Sequence, residues 1–266
     1  RRRPVTVWSG QWAADRLDTL RWGRRVTAVE HDPVTDTFTV HAETDQGPET
    51  YRAHHVVVGI GTEPSVPAPL RGIGGPAVHS AEFLPNRDAL RDAGSIAVVG
   101  SGQSAAEVYR ELLEDIRQDG YRLDWITRSP RFFPMEDTKL TLEMTSPEYT
   151  DHFHGLPEAV RDRLGREQRG LYKGISADLV DDLYDQLYRI SARGPVPTTL
   201  RTETSVVDAA WLADRGTYRL TLRHEQLDQT YEHEVEQLVL ATGYTPRVPR
   251  FLDPVDQDIV VKWFLE

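Results

Sequence analysis

The stretch Ser95-Ile96-Ala97-Val98-Val99-Gly100-Ser101-Gly102-Gln103-Ser104-Ala105 decides the fold of this chain. Residues 95–99 read as a buried strand, and a helix is predicted from about Ser104 to Asp119. Ser104 and Glu107 have the spacing of a capping box, and Gly120 has the position of a helix stop. A second strand is predicted over residues 122–127, which completes a β-α-β unit. The apolar helix positions fall on one face: Ala105, Val108, Tyr109, Leu112, Leu113 and Ile116.

The glycine-rich turn has the pattern of a dinucleotide-binding site. The first glycine allows a tight turn, the second lets the backbone approach a pyrophosphate, and a small third residue allows helix and strand to pack. The helix N-terminus then offers free N–H groups and a positive dipole end to the phosphates. The surrounding β-α-β pattern favours this interpretation over a plain strand-helix turn. The predicted cofactor-binding residues of the turn are Gly100, Ser101, Gly102, Gln103, Ser104 and Ala105.

The end of the second strand indicates which dinucleotide the site takes. An acidic residue there is typical of NAD or FAD sites, whereas an arginine favours the 2′-phosphate of NADP. The strand ends in Thr127-Arg128-Ser129, and Asp124 lies inside the strand. We therefore predict that Arg128 binds the 2′-phosphate, with Arg131 as a second candidate. The alternative is that Arg128 is a solvated surface residue.

Residues 24–61 and 205–243 share one order of elements, which indicates an internal repeat. Each contains a predicted β-meander, then a short apolar strand that ends in glycine, then an exit with prolines three and six residues after that glycine. We predict that the apolar strand 56–61 is buried on both faces, as in a parallel sheet. The repeat is too long for a solenoid. The alternative is a pair of unrelated hairpins in an α+β protein.

Composition excludes several classes of protein. The 266 residues include no cysteine, which excludes a disulfide framework, a Cys-ligated zinc site and a Cys nucleophile. A net charge of −11 disfavours nucleic acid as a partner. No apolar run predicts a membrane span, and no apolar segment follows Arg1-Arg2-Arg3 as in a secretory signal. We expect a cytoplasmic protein of about two domains, and homo-oligomerisation stays open.

Other site patterns are weak or absent. His152 and His154 lie near acidic residues, but neither their spacing nor any cysteine supports a metal site. The nucleophile elbow of hydrolases and the P-loop of nucleotide triphosphatases are not matched. Residues 129–174 are predicted to be irregular, and such a long loop is usually functional or mobile. A further helix is predicted from Ser176 to Gly194.

Three stretches resemble the flavin-dependent N-hydroxylating monooxygenases. Residues 98–107 look like that family's NADPH motif, and Leu240-Ala241-Thr242-Gly243-Tyr244 looks like its ATGY motif. Residues 133–149 resemble the segment around its substrate loop, most closely that of the L-lysine N6-monooxygenases. Ornithine enzymes tend to carry Asn-Glu where this chain has Leu142-Glu143. The resemblance implies NADPH- and FAD-dependent hydroxylation of the L-lysine side-chain amine by O2, giving N6-hydroxylysine for siderophore biosynthesis.

The resemblance also implies a domain organisation. The expected fold is α/β, with a Rossmann-like NADPH-binding domain (residues 75–243) inserted in a partial FAD-binding domain (residues 1–74 and 244–266). The family's own FAD motif is expected upstream of residue 1. Val26, Gly61, Thr62, Thr242 and Gly243 are then expected near FAD. The flavin carries the chemistry, so no side chain is assigned as catalytic and no metal is expected.

Several functions stay open beside L-lysine hydroxylation. L-Ornithine N5-hydroxylation is one, and Baeyer-Villiger or sulfide-oxidising flavin monooxygenases share the same two-dinucleotide architecture. Pyridine nucleotide-disulfide reductases share it too, but the absence of cysteine disfavours them. A non-catalytic NADPH-binding remnant is the non-enzyme alternative. Flavin absorbance together with lysine-dependent hydroxylamine formation distinguishes the enzyme from the remnant.

Overall fold

The computed structural model describes residues 5–255 and divides the chain into two compact units. Unit 1 consists of Arg1–Gly61 and Pro246–Glu266, and unit 2 consists of Thr62–Thr245. The chain therefore leaves unit 1 after Gly61 and returns to it at Pro246.

Unit 1 is built on an antiparallel meander, as the alternating sequence predicts. Its elements are α1 (Val5–Ala14), β1 (Arg25–Asp32), β2 (Thr37–Thr44) and β3 (Gly47–Ala53), with the strands in the order β1-β2-β3. Asp32 begins the turn after β1, where its side chain accepts a hydrogen bond from the Val34 N–H at 2.9 Å. Val29 of β1 is buried against Leu252 and Val255 of the returning segment.

The predicted buried strand over residues 56–61 is wrong. Val57 is 94% exposed and Ile60 is 53% exposed, and the backbone there forms no strand. A strand needs a neighbour that pairs with its N–H and C=O groups. In the described part of unit 1 the only strands are those of the meander, and none of them pairs with residues 56–61. Apolar composition without a pairing partner therefore does not produce a strand here.

Unit 2 contains the predicted β-α-β unit. The elements up to the end of this unit are β4 (Glu63–Pro64), β5 (Val78–His79), α2 (Phe83–Arg91), β6 (Ser95–Val99), α3 (Gln103–Glu114), α4 (Ile116–Asp119) and β7 (Arg122–Ile126). Four helices follow: α5 (Lys139–Leu142), α6 (Pro147–Gly155), α7 (Glu158–Glu167) and α8 (Ala177–Ser191). The remaining strands are β8 (Thr198–Arg201), β9 (Thr204–Leu212), β10 (Thr217–His224), β11 (Gln229–Val235), β12 (Gln237–Leu240) and β13 (Tyr244–Thr245). Gly120 ends α4 in the left-handed conformation, with φ at 78°, so the predicted helix stop is confirmed.

The central sheet of unit 2 has five strands in the order β5-β12-β6-β7-β8, and all neighbouring pairs are parallel. The chain runs from β6 through β7 to β8 on one side, and β12 and β5 lie on the other side. The strand order therefore reverses between β6 and β12. In open α/β sheets, ligands bind at the carboxyl ends of the strands at such a reversal.

Successive side chains of β6 point to opposite faces of this sheet and enter two separate cores. Ile96 and Val98 pack with the buried face of α3, and α8 packs against the same cluster. Ala97 packs on the other face against the β9-β10-β11 meander, including Tyr218 and Leu220. Helices cover one face and a meander covers the other, so β6 is buried on both, as its unbroken apolar sequence predicts.

The predicted repeat is confirmed for the meanders and not for the strands that follow them. The order β9-β10-β11 repeats the antiparallel order β1-β2-β3. The apolar strand after the second meander is β12, which pairs with β5 and β6. Residues 56–61, at the corresponding place after the first meander, have no such neighbours among the described residues.

Candidate nucleotide-binding site

The carboxyl edge of the five-stranded sheet brings together three of the segments that the sequence singles out. Each segment follows a different neighbouring strand, so their order along the edge is the order of the strands. Along that edge they are Ala241-Thr242-Gly243 after β12, Gly100-Ser101-Gly102 after β6 and Thr127-Arg128 after β7. His79, the last residue of β5, lies at the same edge and was not predicted.

Gly100 is required by the close approach of two strand ends. Its φ is 142°, and a Cβ atom built on it would lie 2.1 Å from the backbone oxygen of Ala241. The Ala241 N–H donates to the Val99 oxygen at 2.8 Å, so the backbone after β12 is held against the turn. The Gly100 oxygen in turn accepts a hydrogen bond from the Trp125 indole at 2.7 Å. The first glycine of the motif therefore serves the packing of the turn.

Gly102 has no packing contact of this kind. It is the N-cap of α3, with φ at −90°, and a Cβ atom built on it meets no atom within 4 Å. Nothing in the described part of the chain explains why this residue lacks a side chain. The open space in front of Gly102 is the space that a pyrophosphate needs to approach the backbone.

The first turn of α3 is uncapped, and the predicted capping box is wrong. The helix begins at Gln103, so Ser104 lies inside it, and the N-cap residue makes no side-chain hydrogen bond. Among the described residues, the backbone N–H groups of residues 101–104 have no hydrogen-bond acceptor. Free N–H groups and the positive end of the helix dipole attract an anion.

Two other residues of the motif have contacts inside unit 2. Ala105 is fully buried, and its Cβ lies 3.4 Å from where a Gly100 Cβ would be, so only a small residue fits. The Gln103 side chain donates to Glu107 at 2.9 Å and accepts from the Ser176 N–H at 2.8 Å. Gln103 therefore ties the turn to the N-terminus of α8, and its backbone N–H is what remains for a ligand.

Arg128 and Arg131 differ in their surroundings. Arg128 is exposed, and its guanidinium makes no hydrogen bond or ion pair within residues 5–255. The Arg131 guanidinium lies 4.5 Å from the centre of the Phe133 ring. Arg128 is therefore the arginine with free donors at the end of β7, and Arg131 is held by an aromatic neighbour.

Asp124 is not available at the sheet edge, as the sequence predicts. It is fully buried in β7, with Oδ2 2.9 Å from the His233 Nε2 and 3.0 Å from the Arg122 Nε. Burial by itself would raise the pKa of the Asp124 carboxyl, but His233 and Arg122 hold that pKa below its ordinary value of 3.8. This carboxylate links β7 to the meander through His233.

Thr242 and Gly243 hold the chain at the end of β12. The Thr242 hydroxyl donates to the Ser65 oxygen, and the Ser65 N–H donates to the Gly243 oxygen at 2.9 Å. Antiparallel pairing of β4 with β13 continues this contact. The Thr242 hydroxyl and the Gly243 carbonyl therefore join the segment where unit 2 begins to the segment where it ends. Contact of either residue with FAD stays a prediction.

His79 completes the same junction in one fixed tautomer. Its Nδ1 accepts the Ala81 N–H at 3.2 Å, so the proton lies on Nε2, which is 3.1 Å from the Gly243 oxygen. Burial lowers the pKa of His79 below its ordinary value of 6.5, although the Gly243 carbonyl acts in the opposite direction. The neutral imidazole is thus the form that the folded junction stabilises.

Acidification from pH 8 to 5 is expected to reduce the stability of unit 2 through His79. Because folding lowers the pKa of His79, the neutral imidazole contributes to the free energy of unfolding in full above pH 6.5. This contribution is lost as the pH falls from 6.5 toward the pKa that His79 has in the folded protein. Urea midpoints measured across this range test it, with His79→Gln as the comparison, since Gln keeps an N–H donor and does not titrate. An equal pH slope in both proteins would contradict the assignment.

The remaining residues predicted near FAD lie in different units. Val26 is in β1, where it pairs with Ala42, and Gly61, with φ at 71°, is the exposed last residue of the first segment of unit 1. Thr62 is the exposed first residue of unit 2. Their role toward FAD stays a prediction.

Residues 129–174 are more ordered than predicted. They contain α5, α6 and α7, so the expectation of an irregular loop is wrong in part. The signal that was missed is Ser146-Pro147, where the Ser146 hydroxyl caps α6 at the Tyr149 N–H and proline occupies the first turn.

The residues between Met135 and Ile175 form a closed segment, because the Met135 N–H donates to the Ile175 oxygen at 2.8 Å. Leu140, within the predicted substrate stretch, is 87% exposed.

The described part of the chain contains neither a metal-binding cluster nor a membrane-spanning helix. In residues 5–255, no group of three or more His, Asp or Glu side chains is placed to hold a metal ion. Over the same residues, no helix has both the length and the apolar character needed to cross a membrane.

The parallel sheet, the open glycine turn and the free arginine of unit 2 are typical of a dinucleotide-binding domain. The family model for L-lysine 6-monooxygenase/L-ornithine 5-monooxygenase matches residues 10–246. The chain belongs to this family of N-hydroxylating flavin monooxygenases, which confirms the resemblance seen in the sequence.

Similar proteins act on several amines. The "Alcaligin biosynthesis enzyme" of Bordetella pertussis is 40% identical, over 94% of this chain and 54% of its own. A putrescine N-hydroxylase of Shewanella oneidensis is 39% identical, over 94% of this chain and 50% of its own. The FAD-bound cadaverine monooxygenase of the desferrioxamine biosynthetic pathway of Erwinia amylovora has a TM-score of 0.87 and 44% identity, over 93% of this chain and 58% of its own. The chain thus spans about half the length of the curated relatives it matches. Among the solved neighbours one also holds NADP⁺.

Proposed function

We propose that unit 2 binds NADPH at the carboxyl edge of its parallel sheet. The observation that carries this proposal is the open space in front of Gly102, beside N–H groups that have no acceptor in the described chain. The pyrophosphate binds at this helix N-terminus, and Arg128 binds the adenosine 2′-phosphate. The neighbouring side chains agree with this orientation, because Asp124 is occupied by His233 and Arg122 and does not repel a phosphate at the strand end.

We propose that the protein as a whole uses this NADPH, FAD and O2 to hydroxylate the nitrogen of an aliphatic primary amine. FAD, when bound, would supply the redox chemistry between NADPH and O2, and the residues of the protein would hold and orient the reactants and exclude water. Family membership supports this activity over the Baeyer-Villiger and sulfide-oxidising alternatives. Unit 1 is proposed as part of the FAD-binding domain and unit 2, residues 62–245, as the NADPH-binding domain. These bounds replace the 75–243 that the resemblance implies, because residues 62–74 and 244–245 lie in unit 2.

We propose an aliphatic diamine such as putrescine or cadaverine as the substrate. The relatives named for these two diamines are 39% and 44% identical to this chain over more than nine-tenths of its length. L-Lysine, which the resemblance of residues 133–149 favours, stays a prediction. L-Lysine differs from cadaverine only by a carboxylate. An enzyme therefore distinguishes the two substrates by whether its amine-binding pocket has a positively charged or hydrogen-bonding group for that carboxylate. The named pathways of the relatives support a role in siderophore biosynthesis.

A steady-state comparison of four amines tests the substrate. The purified, FAD-loaded protein is assayed for hydroxylamine product and for NADPH oxidation with putrescine, cadaverine, L-lysine and L-ornithine. We expect kcat/KM for the preferred diamine to exceed that for L-lysine by about 100-fold, since an unpaired buried carboxylate costs several kcal/mol. Preference for L-lysine would overturn the diamine assignment and support the prediction from the sequence.

The non-catalytic alternative has its own signature in the same assay. A remnant would bind NADPH but would retain no flavin and form no hydroxylamine with any of the four amines. NADPH oxidation without hydroxylamine would likewise contradict N-hydroxylation, because electrons would then reach O2 without product.

A further inference from the structure

The turn that carries Arg128 is held by a buried threonine. Thr127 is 3% exposed, and its Oγ1 accepts the Ser129 N–H at 3.0 Å. The Ser129 hydroxyl then donates to the Arg131 oxygen at 2.7 Å. Within the described chain, Arg128 itself makes no hydrogen bond with its side chain. The residues on both sides are therefore fixed, and the guanidinium between them is free.

A second segment fixes the same turn from the neighbouring strand. The Thr127 N–H donates to the Arg201 oxygen at 2.8 Å, and the Thr127 oxygen accepts the Thr204 N–H at 2.9 Å. The Ser129 oxygen accepts the Glu203 N–H at 2.9 Å. Residues 127–129 thus have three backbone hydrogen bonds to residues 201–204 and one internal side-chain bond.

Glu203 adopts an unusual backbone conformation in this contact. Its φ is 51°, in the left-handed region that residues other than glycine rarely occupy. The Glu203 oxygen accepts the Glu225 N–H at 2.8 Å, and its side chain accepts from Gln226 at 3.0 Å. The conformation is held from both sides and directs the Glu203 N–H at the Arg128 turn.

We propose that Thr127 is a positioning residue that sets the preference for NADPH over NADH. The inference rests on the proposed binding of the 2′-phosphate by Arg128. A free guanidinium on a fixed turn loses less conformational freedom on binding than one on a loose turn. Without Oγ1 the Ser129 N–H loses its acceptor, the turn loosens, and Arg128 binds the phosphate less well. NADH lacks that phosphate, so its affinity does not depend on Thr127.

The test compares three variants of the purified protein by calorimetric titration with NADPH and with NADH. Thr127→Val keeps the shape and removes the acceptor, and Thr127→Ser restores the hydroxyl. Thr198→Val is the control for the loss of a threonine hydroxyl in the same sheet. The Thr198 hydroxyl donates to the Leu123 oxygen at 2.7 Å, bonds the Tyr109 hydroxyl at 2.9 Å and makes no contact with the turn. We expect Thr127→Val to weaken NADPH binding roughly three- to tenfold, the effect of one hydrogen bond. NADH affinity should be unchanged.

Each outcome bears on the inference. Recovery of NADPH affinity in Thr127→Ser, and an unchanged NADPH-to-NADH ratio in Thr198→Val, would support it. An equal loss of both nucleotides in Thr127→Val would overturn it, since that pattern reflects general damage to the site. If the unmodified protein binds NADPH no better than NADH, the proposed 2′-phosphate site itself fails, and the inference fails with it.

Discussion

Gly100→Ala is expected to destabilise unit 2 by about 2–5 kcal/mol, the sum of roughly 1–2 kcal/mol for alanine at a positive φ and roughly 1–3 kcal/mol for an overpacked contact. The new Cβ would lie 2.1 Å from the Ala241 oxygen, and that oxygen belongs to backbone that β12 holds in place. Neither Gly100 nor Ala241 can move away from the other without breaking the parallel pairing of β6 with β12. Such a loss is a large part of the stability of a typical domain. Urea unfolding followed by circular dichroism measures it.

Gly102→Ala provides the matched comparison within the same motif. Its φ of −90° suits alanine, and its Cβ meets no protein atom, so the stability should change by less than about 1 kcal/mol. The Cβ would instead occupy the space proposed for the pyrophosphate. NADPH binding should weaken by about tenfold or more. A Gly102→Ala protein that binds NADPH normally would contradict the proposed site, and a stable Gly100→Ala protein would contradict the packing role.

Arg128→Ala is expected to weaken NADPH binding about 10- to 100-fold and to leave NADH binding unchanged. A charge-assisted contact with phosphate is worth about 1.5–3 kcal/mol, and Arg128 has no other partner in the described chain to lose. Titration with both nucleotides at low and physiological salt measures the effect, which salt should reduce.

Arg131→Ala is the control for Arg128. Its guanidinium already lies over the Phe133 ring, so removal should have a smaller effect on NADPH. A larger loss in Arg131→Ala than in Arg128→Ala would reverse the assignment of the 2′-phosphate. Equal losses of NADPH and NADH in Arg128→Ala would show that the residue supports the fold and does not read the phosphate.

The sequence was most informative where its signals are local. The strand over residues 95–99, the glycine turn and the amphipathic helix that follows are predictable because spacing alone determines which face is buried. The single helix predicted from about Ser104 to Asp119 is divided in the structure into α3 and α4. Asp124 and Arg128 were also placed correctly, since strand ends follow from where the apolar run stops. These are the elements that define the proposed NADPH site.

Two failures are local, the capping box at Ser104 and the missed helix start at Ser146-Pro147. The others concern interactions with distant partners. Residues 56–61 have the composition of a buried strand, but composition does not provide a neighbouring strand. The packing role of Gly100, which Gly102 does not share, has no signal in the sequence either. Gly100 packs against Ala241, and these two residues lie far apart in the chain. The hydrogen bonds that fix residues 127–129 include one from the Glu203 N–H. The left-handed backbone of Glu203 cannot be predicted from the sequence, because glutamate rarely adopts it.

The pairing of β4 with β13 has a consequence for how this protein can be rebuilt. Antiparallel neighbours lie about 5 Å apart, so the first and last residues of unit 2 are side by side. Unit 2 can therefore be excised as one block, or exchanged for the same block of a relative, through two cuts made close together. Tethered ends of this kind also suit circular permutation, with new termini opened at an exposed loop of the block.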